Sequence, residues 1–427
     1  MPTLSTLMTQ QDEDAAEDEW NVSRAAYTCL QLFAQATHGE IAPHVLRFVE
    51  GNLADPDWHK REAAVAAFGA ILQGPPQDML ENLVKQGLPI ILDKMKDESF
   101  HVRDAAAYAL GRICEFGSYA IDANTQLQTL LETLFAGIQT EPKMATSCCW
   151  ALMEIADAFG QAASANNETN HLSPHFGGAV SAVLSVTEKT DANNTLRVAG
   201  YEVLNRFINN AADDALPTVA KLLDVIIQRL EQTIPMQQQV VSIEDKLMLE
   251  EMQTSVTSCL MVCHSHKLIH NTNRLQSIVE RLGVEIKPQA DRIMGLLASL
   301  LQTVGGKSSV TDIVFGTIGT LANSIEEDFL KYMDTFAPYL NNALSNHEDP
   351  SICAMAIGIV SDVTRALGEK TQPFCDGLMN SLLSCLNVCQ SHYLSHLMLT
   401  WGRAILLVIK SSLRFFNLLA ISHRQLA

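Results

Sequence analysis

A repeat of 42 residues limits what this chain can fold into more than any other feature. The string Arg61-Glu62-Ala63-Ala64-Val65-Ala66-Ala67-Phe68-Gly69-Ala70-Ile71 returns, class for class, as Arg103-Asp104-Ala105-Ala106-Ala107-Tyr108-Ala109-Leu110-Gly111-Arg112-Ile113. A third copy shows at Ala151-Leu152 and Ile155, and Gly316-Thr317-Ile318 and Gly358-Ile359-Val360 are again 42 apart. Each segment carries apolar residues at helical spacing, as in Val65, Phe68, Ile71 and Leu72. Repeats of this period stack on their neighbours to bury a common core.

A second helix precedes each of these. Pro43-His44-Val45-Leu46-Arg47-Phe48-Val49 leads to Asp55-Pro56-Asp57, and Pro89-Ile90-Ile91-Leu92-Asp93-Lys94-Met95 leads to Asp97-Glu98-Ser99. Proline fits a first helical turn, and Asp or Ser in the turn is placed to cap the helix that follows. The unit is therefore helix A, a short turn and helix B. One A helix before the Arg-acid-small-small opening favours HEAT over armadillo repeats. The spacing predicts an all-α superhelical solenoid of about seven helix pairs over residues 1–388. Gly69 and Gly111, inside B helices, read as close-packing positions.

Composition narrows the function. A formal net charge of −19 argues against a nucleic-acid partner, which needs a basic surface. The ten cysteines include no CxxC pair and read as free thiols in a reducing compartment. The first twenty residues end in acids, which reads as no signal peptide. The most apolar stretch, Leu394 to Ile421, is broken by Arg403, Lys410 and Arg414, so no membrane insertion is expected.

The chemical constellations are thin. Cys259, Cys263, His266 and His270 recur as Cys385, Cys389, His392 and His396. On a straight helix four such positions span roughly 16 Å, too far for one tetrahedral ion. Gly305-Gly306-Lys307-Ser308 lacks the earlier glycine of a phosphate loop, having Leu301 there. No catalytic arrangement, metal or cofactor is expected, and the chain does not read as an enzyme. The acidic run is more informative: Asp12, Glu13, Asp14, Glu17, Asp18 and Glu19 precede Trp20. It reads either as a solvated inter-helix loop or as an arm reaching for a basic partner.

Residues 161–175 form a polar interruption, and composition shifts again at the end: after Asp376 no Asp or Glu occurs. The repeat fades over the same stretch.

Several strings together resemble the importin-β family: the acidic run with Trp20-Asn21, Pro43-His44-Val45-Leu46, Asp55-Pro56-Asp57-Trp58, Arg103-Asp104-Ala105-Ala106, Cys149-Trp150-Ala151, Phe329-Leu330-Lys331-Tyr332-Met333 and Pro373-Phe374-Cys375-Asp376. The resemblance covers most of residues 4–388. It implies a HEAT superhelix that carries cargo into the nucleus, binds the basic segment of importin-α or of cargo in a concave acidic groove, and is unloaded by RanGTP. The implied residence is cytoplasm, nucleus and nuclear pore. The acidic run matches the family's acidic loop in its eighth repeat, implicated in Ran and importin-α binding, and Trp20 and Trp150 match tryptophans that contact the basic segment. Glu154 and Asp157, at i+4 and i+7 from Trp150, share its helical face and join the expected groove. The family's N-terminal Ran-binding repeats and main nucleoporin-binding repeats lie outside the matched part, so nucleoporin contact is expected to be weakened. Residues 262–276 look inserted, and the resemblance stops from Val388-Cys389-Gln390. Both stretches begin Val-Cys, which the splice-donor hexamer GTATGT would encode. Residues 262–276 thus read as a retained intron and 389–427 as a divergent, frame-shifted tail. A structural HEAT scaffold without transport function is the alternative, and the strings around Trp20, Trp58 and Trp150 weigh against it.

Overall fold

A computed structural model describes residues 2–11, 21–160, 168–188, 194–260, 278–304, 309–346 and 350–388. Every regular element among the described residues is helical, as the period predicts. The expected insertion, the expected tail and the interrupted loop around Gly305 fall outside the described residues.

The chain forms two compact units, Met1–Ala215 and Leu216–Ala427. In the first, helices pair as α1 (Pro2–Met8) with α2 (Val22–Ala36), α3 (Ala42–Asn52) with α4 (Trp58–Ala70) and α5 (Gln77–Lys94) with α6 (Phe100–Gly117). Two more pairs follow, α7 (Leu127–Gly137) with α8 (Pro142–Phe159) and α9 (Phe176–Glu188) with α10 (Asn194–Asn209). The second member of each pair stacks on the next: α2 on α4, α4 on α6, α6 on α8 and α8 on α10. In the second unit α11 (Leu216–Thr233) pairs with α12 (Ile243–Ser258). Beyond them lie α13 (Ile278–Leu282), α14 (Ala290–Val304), α15 (Ser309–Ile325), α16 (Met333–Ser345), α17 (Pro350–Leu367) and α18 (Cys375–Val388). There α12 packs on α15, and α15 on α17.

The period explains the stacking. Positions 42 apart fall at the same place on successive B helices. Ala64, Ala106 and Cys148 form one column, Ala67, Ala109 and Ala151 a second, and Ile71, Ile113 and Ile155 a third; all nine are fully buried. Small residues in two columns let the helix axes approach, while each isoleucine contributes roughly 1.5–3 kcal/mol by leaving water.

On α4 the opening arginine ties one turn to the next. Arg61 donates to both carboxylate oxygens of Asp97, at 3.0 and 2.9 Å, and to the carbonyls of Asp55 and Pro56, each at 2.9 Å. The pair is buried, with side chains 8% and 6% exposed. Burial works against the Asp97 charge, but the guanidinium more than offsets it and holds the carboxyl below its usual range. Arg103 repeats the device on the carbonyls of Asp97 and Glu98, at 2.9 and 3.1 Å.

Two local expectations are corrected. Pro43 does lie in the first turn of α3, but Pro89 sits inside α5, which already begins at Gln77. Leu80, Leu83, Val84, Leu88 and Ile91 bury one continuous face across the proline, and this packing outweighs the one backbone hydrogen bond the ring removes. Asp57 caps α4, accepting the His59 amide at 3.0 Å, whereas the Ser99 side chain makes no such bond. Asp97 instead accepts the Ser99 amide at 3.0 Å, so the arginine-bound aspartate shapes that turn.

The described part of the polar interruption is held firmly. Asn170, 5% exposed, donates to the carbonyls of Gly160 and Asn210 at 3.0 and 2.8 Å and accepts the amides of Leu172 and Ser173. Cys114, Cys148, Cys149, Cys259, Cys353 and Cys375 are free and buried, and Cys29 is free and partly exposed.

Candidate peptide-binding face

The 42-residue register also lines up polar and aromatic side chains on the B helices of the first unit. Tyr108 on α6 and Trp150 on α8 occupy the same column, and their rings lie 5.4 Å apart at 36°. The Trp150 indole fits because residue 111 has no side chain. A Cβ there would stand 2.3 and 2.4 Å from the indole carbons Cε3 and Cζ3. The ring therefore packs closely against α6 at Gly111, partly exposed, beside a Tyr108 that is 42% exposed.

One turn along α8, Glu154 lies beside the Trp150 side chain. Burial raises its pKa, and the nearby carboxylates of Glu115 and Asp157 raise it further; the Trp150 side chain and Arg206 pull the other way. Asp157 accepts from Arg206 at 2.8 Å and from the Asn210 side chain at 3.0 Å. Glu115 pairs with Arg112 at 3.2 Å. The Arg112 guanidinium is buried, lies 4.3 Å over the Phe116 ring, and donates to Gln73 at 3.0 Å. Three carboxylates thus face two guanidiniums around one exposed and one partly exposed aromatic ring. Such a patch suits an incoming Lys or Arg, which can stack on the rings and share the unneutralised carboxylate.

Trp150, Glu154 and Asp157 do fall on one helical face and interact. Asp157, however, is engaged by Arg206 and Asn210, so it braces α8 against α10 as well as adding charge. Tyr108, Arg112, Glu115 and Arg206 were not foreseen from the sequence, while Gly111 was expected as a close-packing position and is one. The register pointed to two of them, since Tyr108 and Glu115 stand 42 residues before Trp150 and Asp157.

Asp12, Glu13, Asp14, Glu17, Asp18, Glu19 and Trp20 lie outside the described residues, but both flanks of the run are placed. On one side the Gln11 amide donates to the His59 carbonyl at 2.9 Å and to the Glu62 carboxylate. On the other, Asn21 caps α2 by accepting the Arg24 amide at 3.0 Å. Gln11 is thus held against α4, and Asn21 opens α2. Glu62, which also accepts from the Tyr27 hydroxyl, has its pKa pushed up to about 7 by burial. Asp104 and Lys143, paired at 2.9 Å, face it from α6 and α8.

A second feature lies in the other unit. A cavity of about 210 Å³ opens beside α14 and α16, lined by Met294, Leu301, Ile318, Phe336 and Tyr339. Asp291, at its edge, accepts the Tyr332 hydroxyl at 2.6 Å. No group of three or more metal-ligating side chains gathers among the described residues.

Comparison with known proteins shows what this arrangement is similar to. The family model described as Importin subunit beta-1-like, TPR repeats, matches residues 129–399, running past residue 388, and a HEAT-like repeat model matches 58–113. Importin subunit beta-1 of Schizosaccharomyces pombe is 39% identical over 90% of this chain and 43% of its own length. Importin subunit beta-1 of Saccharomyces cerevisiae is 30% identical over 91% of this chain and 42% of its own length. A crystal structure of importin β superposes with a TM-score of 0.86 at 50% identity, covering 98% of this chain and 46% of that one. The chain thus spans less than half the length of the relatives it matches.

Proposed function

Because the chain belongs to the importin-β family, we propose that it is part of a nuclear transport receptor whose first unit holds a basic, extended segment of importin-α or of a cargo protein. The observation that supports this best is the Trp150 indole, seated over Gly111 with Tyr108 beside it and Glu154, Glu115 and Asp157 around it. Rigid aromatic faces next to an excess of carboxylate attract a cationic side chain and hold it with little loss of side-chain entropy. The acidic run from Asp12 to Glu19 adds long-range attraction, which speeds encounter and fixes which end of the segment arrives first. Trp20 adds a second indole in this reading.

Release by Ran GTPase and weakened contact with nucleoporins complete the proposal. The Ran and nucleoporin partners are supported by two structures of relatives, one of yeast Kap95p inducing RanGDP switch loops to adopt the GTP-bound conformation and one of a Kap95:Nup1 complex. Shuttling between cytoplasm and nucleus follows from the same reading.

Calorimetry with an Arg/Lys-rich peptide tests the site. Trp150→Ala should weaken binding by about 1–2 kcal/mol, the range of a cation–π contact with its packing. Neutralising Asp12 to Glu19 should weaken it as well, mostly through the association rate. Unchanged affinity in both variants would remove the site from this face.

A further inference from the structure

The three carboxylates around Trp150 are not equivalent. Glu115 is held by Arg112, three residues before it on α6, at 3.2 Å. The Arg112 side chain is 6% exposed, lies over the Phe116 ring and donates to Gln73, so that cation is fixed in place. Asp157 is held by Arg206, which reaches across from α10 at 2.8 Å. Here both side chains meet solvent, Arg206 44% and Asp157 41% exposed, and one guanidinium nitrogen, Nη1, makes the contact. An exposed pair of this kind is weak and opens readily. The Arg206 charge also reaches Glu154, one turn earlier on the same face of α8. One movable side chain thus acts on both carboxylates of α8 that an incoming cation would meet.

We infer that Arg206 is a tethered competitor of the basic segment: it occupies Asp157 in the free chain and gives it up to a cationic side chain of the segment. This rests on the binding of such a segment to the Trp150 face. The junction between α8 and α10 does not depend on the Arg206 contact. Asn210 holds the other Asp157 oxygen at 3.0 Å, and Asn170 donates to the carbonyls of Gly160 and Asn210. Val203, Leu204, Phe207 and Ile208 bury the apolar face of α10. Arg206 can therefore swing away without opening the core. The exchange leaves the Asp157 charge paired throughout, since one cation departs as another arrives. With Arg206 in place the face holds its ligand less tightly than three carboxylates allow, which keeps the segment exchangeable. It also leaves an isolated cation little to gain at Asp157.

Calorimetric titration of the full chain with an Arg/Lys-rich peptide tests this. Arg206→Gln should tighten binding roughly two- to fivefold, the worth of an exposed ion pair. In an Asp157→Asn background, where no carboxylate is left to release, the same change should gain markedly less. Arg206→Lys keeps the charge at a contact made by one nitrogen and should bind as the unaltered chain does. A residue that merely braced α8 against α10 would behave in the opposite way, with Arg206→Gln lowering both the thermal transition and the affinity. Unchanged or weaker binding in Arg206→Gln, or an equal gain with and without Asp157, would overturn the inference. Trp150→Ala separates it from the reading beneath it. If Trp150→Ala weakens the peptide while Arg206→Gln fails to tighten it, the face binds the segment and Arg206 is no competitor. If Trp150→Ala leaves the affinity unaltered, both fall.

Discussion

Gly69 and Gly111 occupy the same register position on adjacent B helices, and replacing each by alanine isolates one contact. In a helix interior, Gly to Ala gains about 1 kcal/mol of backbone propensity at either site. At Gly69 the new methyl would stand 3.4 Å from the Cα and Cβ of Ala109, an ordinary contact. At Gly111 it would stand 2.3 and 2.4 Å from two carbons of the Trp150 indole, far inside van der Waals distance. The ring must swing out, giving up its packing on Tyr108. Overpacking of this kind costs about 1–3 kcal/mol. Gly69→Ala should thus leave the first unit unchanged or stabilise it by up to about 1 kcal/mol, while Gly111→Ala should fall about 1–3 kcal/mol below it. Urea denaturation followed by circular dichroism gives the difference, and a red-shifted tryptophan emission reports the displaced indole. Gly111→Ala should also weaken the basic peptide, although no charge has changed. Equal stability shifts in the two variants, with unaltered emission, would refute the seating of Trp150 and the geometry built on it.

Other consequences follow from buried charge. Arg61→Leu should cost the first unit about 3 kcal/mol, because Asp97 is left buried without its partner; the thermal transition measures it. Glu62 retains its proton in the folded chain up to about pH 7 but loses it near 4.5 when unfolded, so the native state binds more protons between these values. Stability should fall as pH rises through that window, and Glu62→Gln should flatten the dependence. Glu154 is raised in pKa and gains a partner on binding a cation, so peptide affinity should weaken on acidification, and less so in Glu154→Gln.

Much of the fold was legible because a 42-residue period states which positions coincide in space. The buried columns through Ala64, Ala67 and Ile71 are the periodicity itself, written as packing. Capping and turn chemistry were less readable. Ser99 looked like a cap, but Asp97 is held in the turn by an arginine 36 residues away, a long-range fact that no local motif encodes. Pro89 looked like a helix start, yet the apolar face of α5 runs through it. At the candidate site, helical spacing united Trp150, Glu154 and Asp157. It did not show that Gly111 is the floor of the indole, because that contact depends on the distance between helix axes. The same register applied to aromatics would have found Tyr108. Nor did spacing show that Asp157 already holds Arg206, which lies 49 residues on and so outside the 42-residue register.

The central claim is that the face carrying Tyr108, Trp150 and Glu154 takes a basic segment. Titrating the chain with an Arg/Lys-rich peptide and with an acidic peptide of equal length, while following tryptophan fluorescence, tests it directly. The account predicts that only the basic peptide changes the emission. Its affinity should drop steeply between roughly 50 and 300 mM salt, as the Debye length falls below about 10 Å, and the emission change should shrink in Trp150→Phe. Equal affinity for both peptides, or a basic-peptide affinity that salt leaves unchanged, would contradict it.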